Sequence, residues 1–392
     1  MKVLCVFGEH QYGDPSRGLG TEYTAFIPAL RQLGYEVLHF ESWNKRMYRD
    51  LAELNSKLLN VVESFRPDVM LTVHMEYELW LETLEVIRAR GDVATISWAA
   101  DDSWKYWQVS RFVGPAYHAM TTTYAHVMPR YHADGMLNVL LTQWAVSAVW
   151  LREPLPASQC IYPVSFVGAA HGDRKSMVAT LQKAGIEVAC FGHGWPKGSV
   201  PMDEIPDIMR NSVISLNFSN SRGENQIKAR TFEVPGAGGF LLTDEAQGLD
   251  RFYRPGTEIA VFNGTDDLVG KILHFLSHSA ERDAIARSGY ERTCREHTYE
   301  QRMARVIEYA LKAKMDSSPN TAPSFDKALR AHRMTLGLRM LRTVLLTIGN
   351  LIYGAEKAPR AARRLVFELS WRLMGKHTFT ATGWPGRMFP HD

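Results

Sequence analysis

The chain has 392 residues, 45% of them hydrophobic and 22% charged, with a formal net charge of +3. This composition excludes a mainly disordered or collagen-like polymer, and the length predicts two or three domains that bury cores without staples. The near-neutral total gives no reason to expect nucleic acid as a partner. The four cysteines, Cys5, Cys160, Cys190 and Cys294, form no C-x-x-C pair, so neither a zinc site nor a disulfide scaffold is expected. Cys5 and Cys190 fall in apolar strand-like runs and read as reduced core residues.

The run Met1 to Gly8 is too short for a signal peptide, and no stretch of about 20 uncharged apolar residues occurs. The expectation is a cytoplasmic chain with no ordinary transmembrane helix. Residues 2–7 read as a buried strand, 23–33 as a helix with Phe26, Ile27, Leu30 and Leu33 on one face, and 36–40 as the next strand. A helix over 51–65, a strand over 69–73, a helix over 81–90 and a strand over 93–98 follow. Strand, helix and strand at this spacing predict parallel pairing through crossover helices, the doubly wound α/β class.

The pattern restarts near residue 163. Strands are predicted over 164–167, 187–191, 213–217 and 240–243. Helices are predicted over 174–184, 204–210, from Arg230, and over 267–276 and 281–296. The join lies near Pro154-Leu-Pro156. After a linker rich in Ser, Pro and Asn between Asp316 and Ser324, the tail changes character. Between Lys327 and Lys376 eleven basic residues face two acids, Glu356 and Glu368, a local charge of +9. The rest of the chain then carries 3 − 9 = −6, so the total hides an asymmetry. Apolar residues from Leu336 to Ile352 interleave with arginines, which fits a helix lying in a membrane interface or one docked on protein. The three regions expected are 1–155, 156–315 and 316–392.

The most specific run is Gln226-Ile-Lys-Ala-Arg-Thr-Phe-Glu-Val-Pro-Gly-Ala-Gly-Gly-Phe-Leu-Leu-Thr243. A helix starting near Arg230, with Lys228 and Arg230 beside it, suits a diphosphate. Glu233, one turn in, is placed to accept hydrogen bonds from a ribose diol. Gly236, Gly238 and Gly239 permit close backbone approach. This run resembles the donor-binding element of GT-B glycosyltransferases, in particular the CgeB-like group (spore maturation protein CgeB, glycosyl transferases group 1). Phe252-Tyr-Arg-Pro-Gly-Thr-Glu258, Glu296-His-Thr-Tyr-Glu-Gln-Arg302, Ser97-Trp-Ala-Ala-Asp-Asp-Ser-Trp104 and Val164-Ser-Phe-Val-Gly168 also resemble that group. The resemblance covers residues 1–312.

It implies a GT-B fold of two Rossmann-like domains facing a cleft, with 1–155 as the acceptor domain and 156–315 as the donor domain. It also implies a metal-independent glycosyltransferase that takes a nucleotide-diphosphate sugar as donor and needs no other cofactor. The acceptor expected is a cell-envelope glycan or a lipid-linked glycan, with the tail over 325–376 on an anionic inner membrane surface. Glu233 resembles the second glutamate of the E-x7-E pair of retaining enzymes. The first glutamate is a departure, since Asn225 stands in its place and Glu224 is the nearest acid. A nucleotide-sugar epimerase and a non-catalytic nucleotide-sugar-binding protein of the same fold are the competing readings.

The remaining candidates sit at strand ends, where α/β ligands bind. Asp101 and Asp102 are candidates for a catalytic base or an acceptor contact, with one of the two expected as an N-cap. His74 is a candidate for polarising a substrate, and Glu9 and His10 are similar candidates. Arg17, Gly18 and Gly20, in the loop before the first helix, are candidates for phosphate or sugar contacts. Gly192 and His193, with Trp195, are candidates for packing on the nucleotide base. No metal ligand is expected.

Overall fold

The structure is a computed structural model that describes residues 1–218, 227–317 and 321–391. It divides into two packing units, Met1–Thr142 with Met303–Asp392, and Gln143–Arg302. The expected regions break at 155/156, at the Pro154-Leu-Pro156 join, and at 315/316, at the start of the Ser-, Pro- and Asn-rich linker. The packing breaks fall earlier in the chain at both places.

The first unit is built on β1 (Lys2–Phe7), β2 (Glu36–Glu41), β3 (Val69–Thr72), β4 (Ala94–Ala99), β5 (Ala119–Thr122) and β6 (Val139–Leu141). These form a parallel sheet of order β2-β1-β3-β4-β5-β6. Val3, Leu4, Val6 and Phe7 are fully buried, as a central parallel strand covered on both faces requires. The edge strand β2 alternates exposed with part-buried positions over its first four residues. The crossovers include α1 (Thr21–Gln32), α2 (Leu51–Phe65) and α3 (Leu81–Ala89). Helix α2 matches its predicted span because its ends are written locally. Asp50 accepts from the Glu53 N–H at 2.9 Å, and Arg66 closes the helix in the left-handed region. After β4, α4 (Asp102–Lys105) runs through a wide π turn, Tyr106–Ser110, into α5 (Arg111–Val113), and α6 (Met128–Ala133) precedes β6.

The second unit carries β7 (Tyr162–Val167), β8 (Ala189–Phe191), β9 (Ser212–Asn217), β10 (Leu241–Asp244) and β11 (Ala260–Phe262). All pair in parallel, in the order β11-β10-β9-β7-β8. Its helices are α7 (Arg174–Lys183), α8 (Ile205–Arg210), α9 (Arg230–Gly236), α10 (Gly264–Ser277) and α11 (Ser279–Glu296). Arg282, fully buried, donates to the carbonyls of Val213, Ser212 and Leu155 at 2.7–2.9 Å and so ties α11 to the start of β9.

Helix α12 (Tyr299–Met315) is followed by α13 (Phe325–Ala331), α14 (Leu336–Tyr353), α15 (Ala358–Met374) and α16 (Trp384–Met388). The tail is part of the first unit's core. Phe367 of α15 packs on Tyr77, Phe379 on Phe112, and Arg363 forms an ion pair with Glu76. Helix α14 bears on the question of a membrane span. The sequence offers no uncharged apolar run of about 20 residues, and Leu336–Tyr353, broken by two arginines, passes a span's requirements by length and composition only. Two charges, Arg339 and Arg342, are tolerated within it.

Candidate active site

Both sheets reverse their strand order beside their first strand, between β1 and β3 and between β7 and β9. Loops diverge at such a switch point and leave a crevice outside the carboxyl ends of the strands. In the first unit that crevice is a cavity of about 270 Å³. Residues after β1 and at the start of α1 (Gln11, Tyr12, Gly20, Glu22), after β3 (His74, Met75) and after β4 (Asp101, Asp102, Lys105) line it. The structure thus brings together four of the expected residues, Gly20, His74, Asp101 and Asp102.

The two adjacent acids diverge. Asp102 is fully buried, with Ser110 Oγ donating to one carboxylate oxygen at 2.5 Å and Tyr131 OH to the other at 2.6 Å. Burial pushes its pKa up to about 6 in spite of these donors. The π turn after α4 is what returns Ser110 to it. With both oxygens engaged, Asp102 orders the pocket wall and is poorly placed to take a substrate proton. Asp101 occupies the N-cap position of α4, although its side chain does not cap the helix.

His74 stands on a buried relay. Thr72 Oγ1 donates to Tyr117 OH at 2.9 Å, and that hydroxyl lies 2.7 Å from His74 Nε2. Burial, with help from the Lys105 charge, lowers the His74 pKa to about 3, so the ring is neutral at ordinary pH. Its Nδ1 lies 3.9 Å from a Glu78 oxygen, and Glu78 itself accepts the N–H groups of Met75 and Glu76 at 2.6 and 2.8 Å. Neutral His74 is a hydrogen-bonding group here and not a cation.

The sequence reading did not single out Glu22 or Lys105. Burial, reinforced by the nearby Asp101 charge, holds the Glu22 carboxyl above its usual range. A carboxylate made costly by burial is a stronger base, which suits proton abstraction from a hydroxyl. Lys105 Nζ lies 3.4 Å from the Met75 carbonyl and supplies the positive charge near these acids. Arg17 and Gly18 do not line the cavity, nor do Glu9 and His10. Arg17 instead pairs with Asp14 at 3.3 Å and covers the Tyr12 ring.

The second switch point is basic. Arg174, at the start of α7, donates to the Ala169 carbonyl after β7 at 3.1 Å and to the Phe218 carbonyl after β9 at 2.9 Å. It therefore bridges the two diverging loops. Arg230 donates to the Val167 carbonyl at 3.1 Å and forms an ion pair with Glu233. Burial, then the Arg230 charge, lowers the Arg174 pKa. Lys228 lies two residues before α9, half-buried. The expected role of Glu233 as a ribose contact meets a competitor in Arg230, which already holds its carboxylate. Glu224 and Asn225 lie outside the described residues.

The glycines divide by role. Gly192 has φ +131, and a Cβ there would fall 2.4 Å from the Gly168 carbonyl oxygen, so only glycine lets the β8 loop meet the β7 loop. Gly238 has φ +77 with a Cβ position 2.5 Å from the Arg152 carbonyl, and Gly236 packs on Val146. These two serve backbone packing. Trp195 donates its indole N–H to the Gly168 carbonyl at 2.8 Å and sets its ring edge-on to Phe166. The His193 side chain is exposed, and its carbonyl accepts the Ala170 N–H at 2.8 Å.

Residues 174–308 match the family model described as glycosyl transferase-like. No curated protein matches. Among solved structures, the chain is similar to a glycosyltransferase from Rickettsia africae (12% identity, TM-score 0.58), with 81% of this chain and 99% of that one covered. It is similar to sucrose-phosphate synthase from Thermosynechococcus elongatus (11%, 0.57), covering 80% of this chain and 100% of that one. It is also similar to Anabaena HepE, solved in complex with UDP-glucose (11%, 0.56), covering 79% of this chain and 99% of that one. The chain therefore has the GT-B fold of two parallel-sheet α/β domains, and its second unit is glycosyltransferase-like in sequence.

Proposed function

We propose that this chain transfers a glycosyl group from a nucleotide-diphosphate sugar to a hydroxyl of a glycan or glycolipid acceptor, within the CgeB-like group its motifs resemble. The observation that carries the reading is the makeup of the two switch points: Glu22 and Asp101 with Lys105 beside them in one, and Arg174 with Arg230, the latter paired with Glu233, in the other. The donor binds at the second unit. Arg174, Arg230 and Lys228 meet the diphosphate, whose negative charge grows as the glycosidic bond breaks. No metal ion takes part. The acceptor binds in the first unit's cavity, where neutral His74 hydrogen-bonds a hydroxyl and Glu22 takes its proton as the new bond forms. A single displacement by an acceptor that Glu22 deprotonates inverts the anomeric carbon, whereas the Glu233 resemblance favours retention.

The test is a screen of nucleotide sugars for nucleoside-diphosphate release, with and without oligosaccharide and lipid-linked acceptors. Acceptor-dependent release, weakened in Glu22→Gln and in Arg174→Ala, supports the reading. Release or epimerisation at an equal rate without acceptor points to a nucleotide-sugar epimerase or hydrolase. Binding without turnover across the panel points to a non-catalytic protein. The anomeric proton coupling in the product separates retention from inversion.

A further inference from the structure

We infer that α14 is an in-plane membrane seat, lying on an anionic bilayer surface with its outer face among the acyl chains. A helix docked on its own protein needs one apolar stripe. Helix α14 has two. The inner one, Leu338, Leu345 and Leu346, packs against the cluster of Val366, Met388 and Phe389, with Gly349 lying against Ala358. The outer one comprises Leu336, Met340, Val344, Ile348, Leu351 and Ile352, all exposed, Leu351 by 83%. At about 100° per residue these six sweep an arc of about 160°, wide enough for one side of a cylinder to sink into a lipid interface. Helix α15 adds an exposed i, i+4, i+8 stripe of Leu365, Leu369 and Leu373.

Charge selects lipid as the occupant. Arg330, Arg333 and Arg339 are exposed around the amino-terminal end of α14, and Lys357, Arg360 and Arg364 follow its carboxyl-terminal end. Such flanks repel a second copy of the same patch and attract anionic headgroups. Three tail cations serve the protein instead. Arg363 pairs with Glu76, Arg372 with Glu368, and Arg342 covers the Phe389 ring.

The same features argue against a span. Eighteen residues at about 1.5 Å each give about 27 Å, short of a hydrocarbon core of about 30 Å. Cations at both ends suit a helix whose two ends touch one headgroup layer, whereas a span carries its excess at one end. The inner face is already packed on protein. The seat is also tied to the acid-lined cavity, since Arg363 of α15 pairs with Glu76, next to the cavity residues His74 and Met75. Docking there holds the cavity beside a lipid-borne hydroxyl.

The experiment is flotation of the full chain with phosphatidylcholine vesicles, with and without phosphatidylglycerol, at low and high salt. Two surface variants accompany it, Met340→Glu with Val344→Glu, and Arg339→Gln with Lys357→Gln, each checked by thermal melting. The expected result is binding to the anionic vesicles only, weakened by salt. The first variant should lose binding at least tenfold, and the second about fivefold for each cation removed. Equal binding by all forms would overturn the proposal. So would a particle of twice the monomer mass by light scattering that Met340→Glu with Val344→Glu dissolves, because the face would then join two copies. Resistance of the membrane-bound chain to alkaline extraction would overturn it in favour of a span.

Discussion

Between β1 and β3, and again between β7 and β9, the strand order reverses in the same way, yet acids predominate among the side chains gathered at the first and arginines at the second. The first crevice collects Glu22, Asp101 and Asp102, with the cation Lys105, around a neutral histidine. The second collects Arg174 and Arg230, both anchored on backbone carbonyls. Topology fixes where a ligand can enter an α/β sheet and says nothing of which one. A few side chains at the carboxyl ends decide between a site that takes protons and one that holds an anion. Each variant below is chosen to blur or to sharpen that contrast.

The largest effect is expected at Glu22. Replacing it by Gln keeps its shape and removes its basicity, so acceptor turnover should fall by about 100-fold or more while donor affinity holds. The wild-type kcat/KM should also drop on acidification above the ordinary carboxylate range. Glu22 must be ionised to take a proton, and burial raises its pKa. A pH–rate profile identical in wild type and Glu22→Gln would remove Glu22 from the reaction.

Asp102 tests the structural half of the same crevice. Its folded-state pKa of about 6 exceeds the ordinary 3.8. A raised folded pKa means full relative stability below pH 3.8, lost as the pH climbs through 6. Asp102→Asn cannot ionise and keeps an acceptor for Ser110 or Tyr131. Its stability relative to wild type should therefore improve between pH 4 and 7, by up to about 3 kcal/mol. Denaturant melts across that range check the sign; a constant difference would mean the native carboxyl titrates like an exposed one.

In the basic crevice, Arg174→Ala should lower donor kcat/KM by about 10–100-fold, the worth of a charge-assisted hydrogen bond to phosphate. Arg174→Lys should recover part of it, because a point charge remains without the fork that spans two carbonyls. Gly192→Ala attacks the same crevice through the backbone and should destabilise by about 1–3 kcal/mol. Its Cβ would press on the Gly168 carbonyl oxygen, which Trp195 also holds. An unshifted melt would show that the two loops can separate at no cost.

Much of this was legible along the chain. Strand ends pointed to Asp101, Asp102 and His74, because β3 and β4 are apolar runs that stop at polar residues. Glu22 escaped notice because its burial comes from α1 reaching across the sheet, where Phe26 meets Trp98 at 5.0 Å. Arg174 escaped for a similar reason, since one of its two carbonyls, Phe218, lies 44 residues away. Strands β5 and β6, three or four residues long, were too short for periodicity to reveal. The tail's charge excess could be counted. That Phe367 would pack on Tyr77 could not, because nothing local records a contact between residues so far apart in the sequence.

The smallest effect is expected at Arg17, and it bears on how the basic side of the contrast is drawn. By sequence, Arg17 and Gly18 stand in a glycine-bearing loop just ahead of a helix, a reasonable place for a phosphate contact. The structure turns the Arg17 guanidinium toward Asp14 and over the exposed Tyr12 ring. Asp14 also takes the N–H and hydroxyl of Ser16, at 3.0 and 2.7 Å, so the loop satisfies its own charges. Exposed pairs of this kind contribute little, and salt screens them further. Arg17→Ala should accordingly leave donor KM and kcat within about twofold of wild type, at low and at high salt. A tenfold rise in donor KM would place a phosphate contact in the first unit. The division into an acceptor crevice in the first unit and a donor crevice in the second would then have to be redrawn with a phosphate-binding cation in the first.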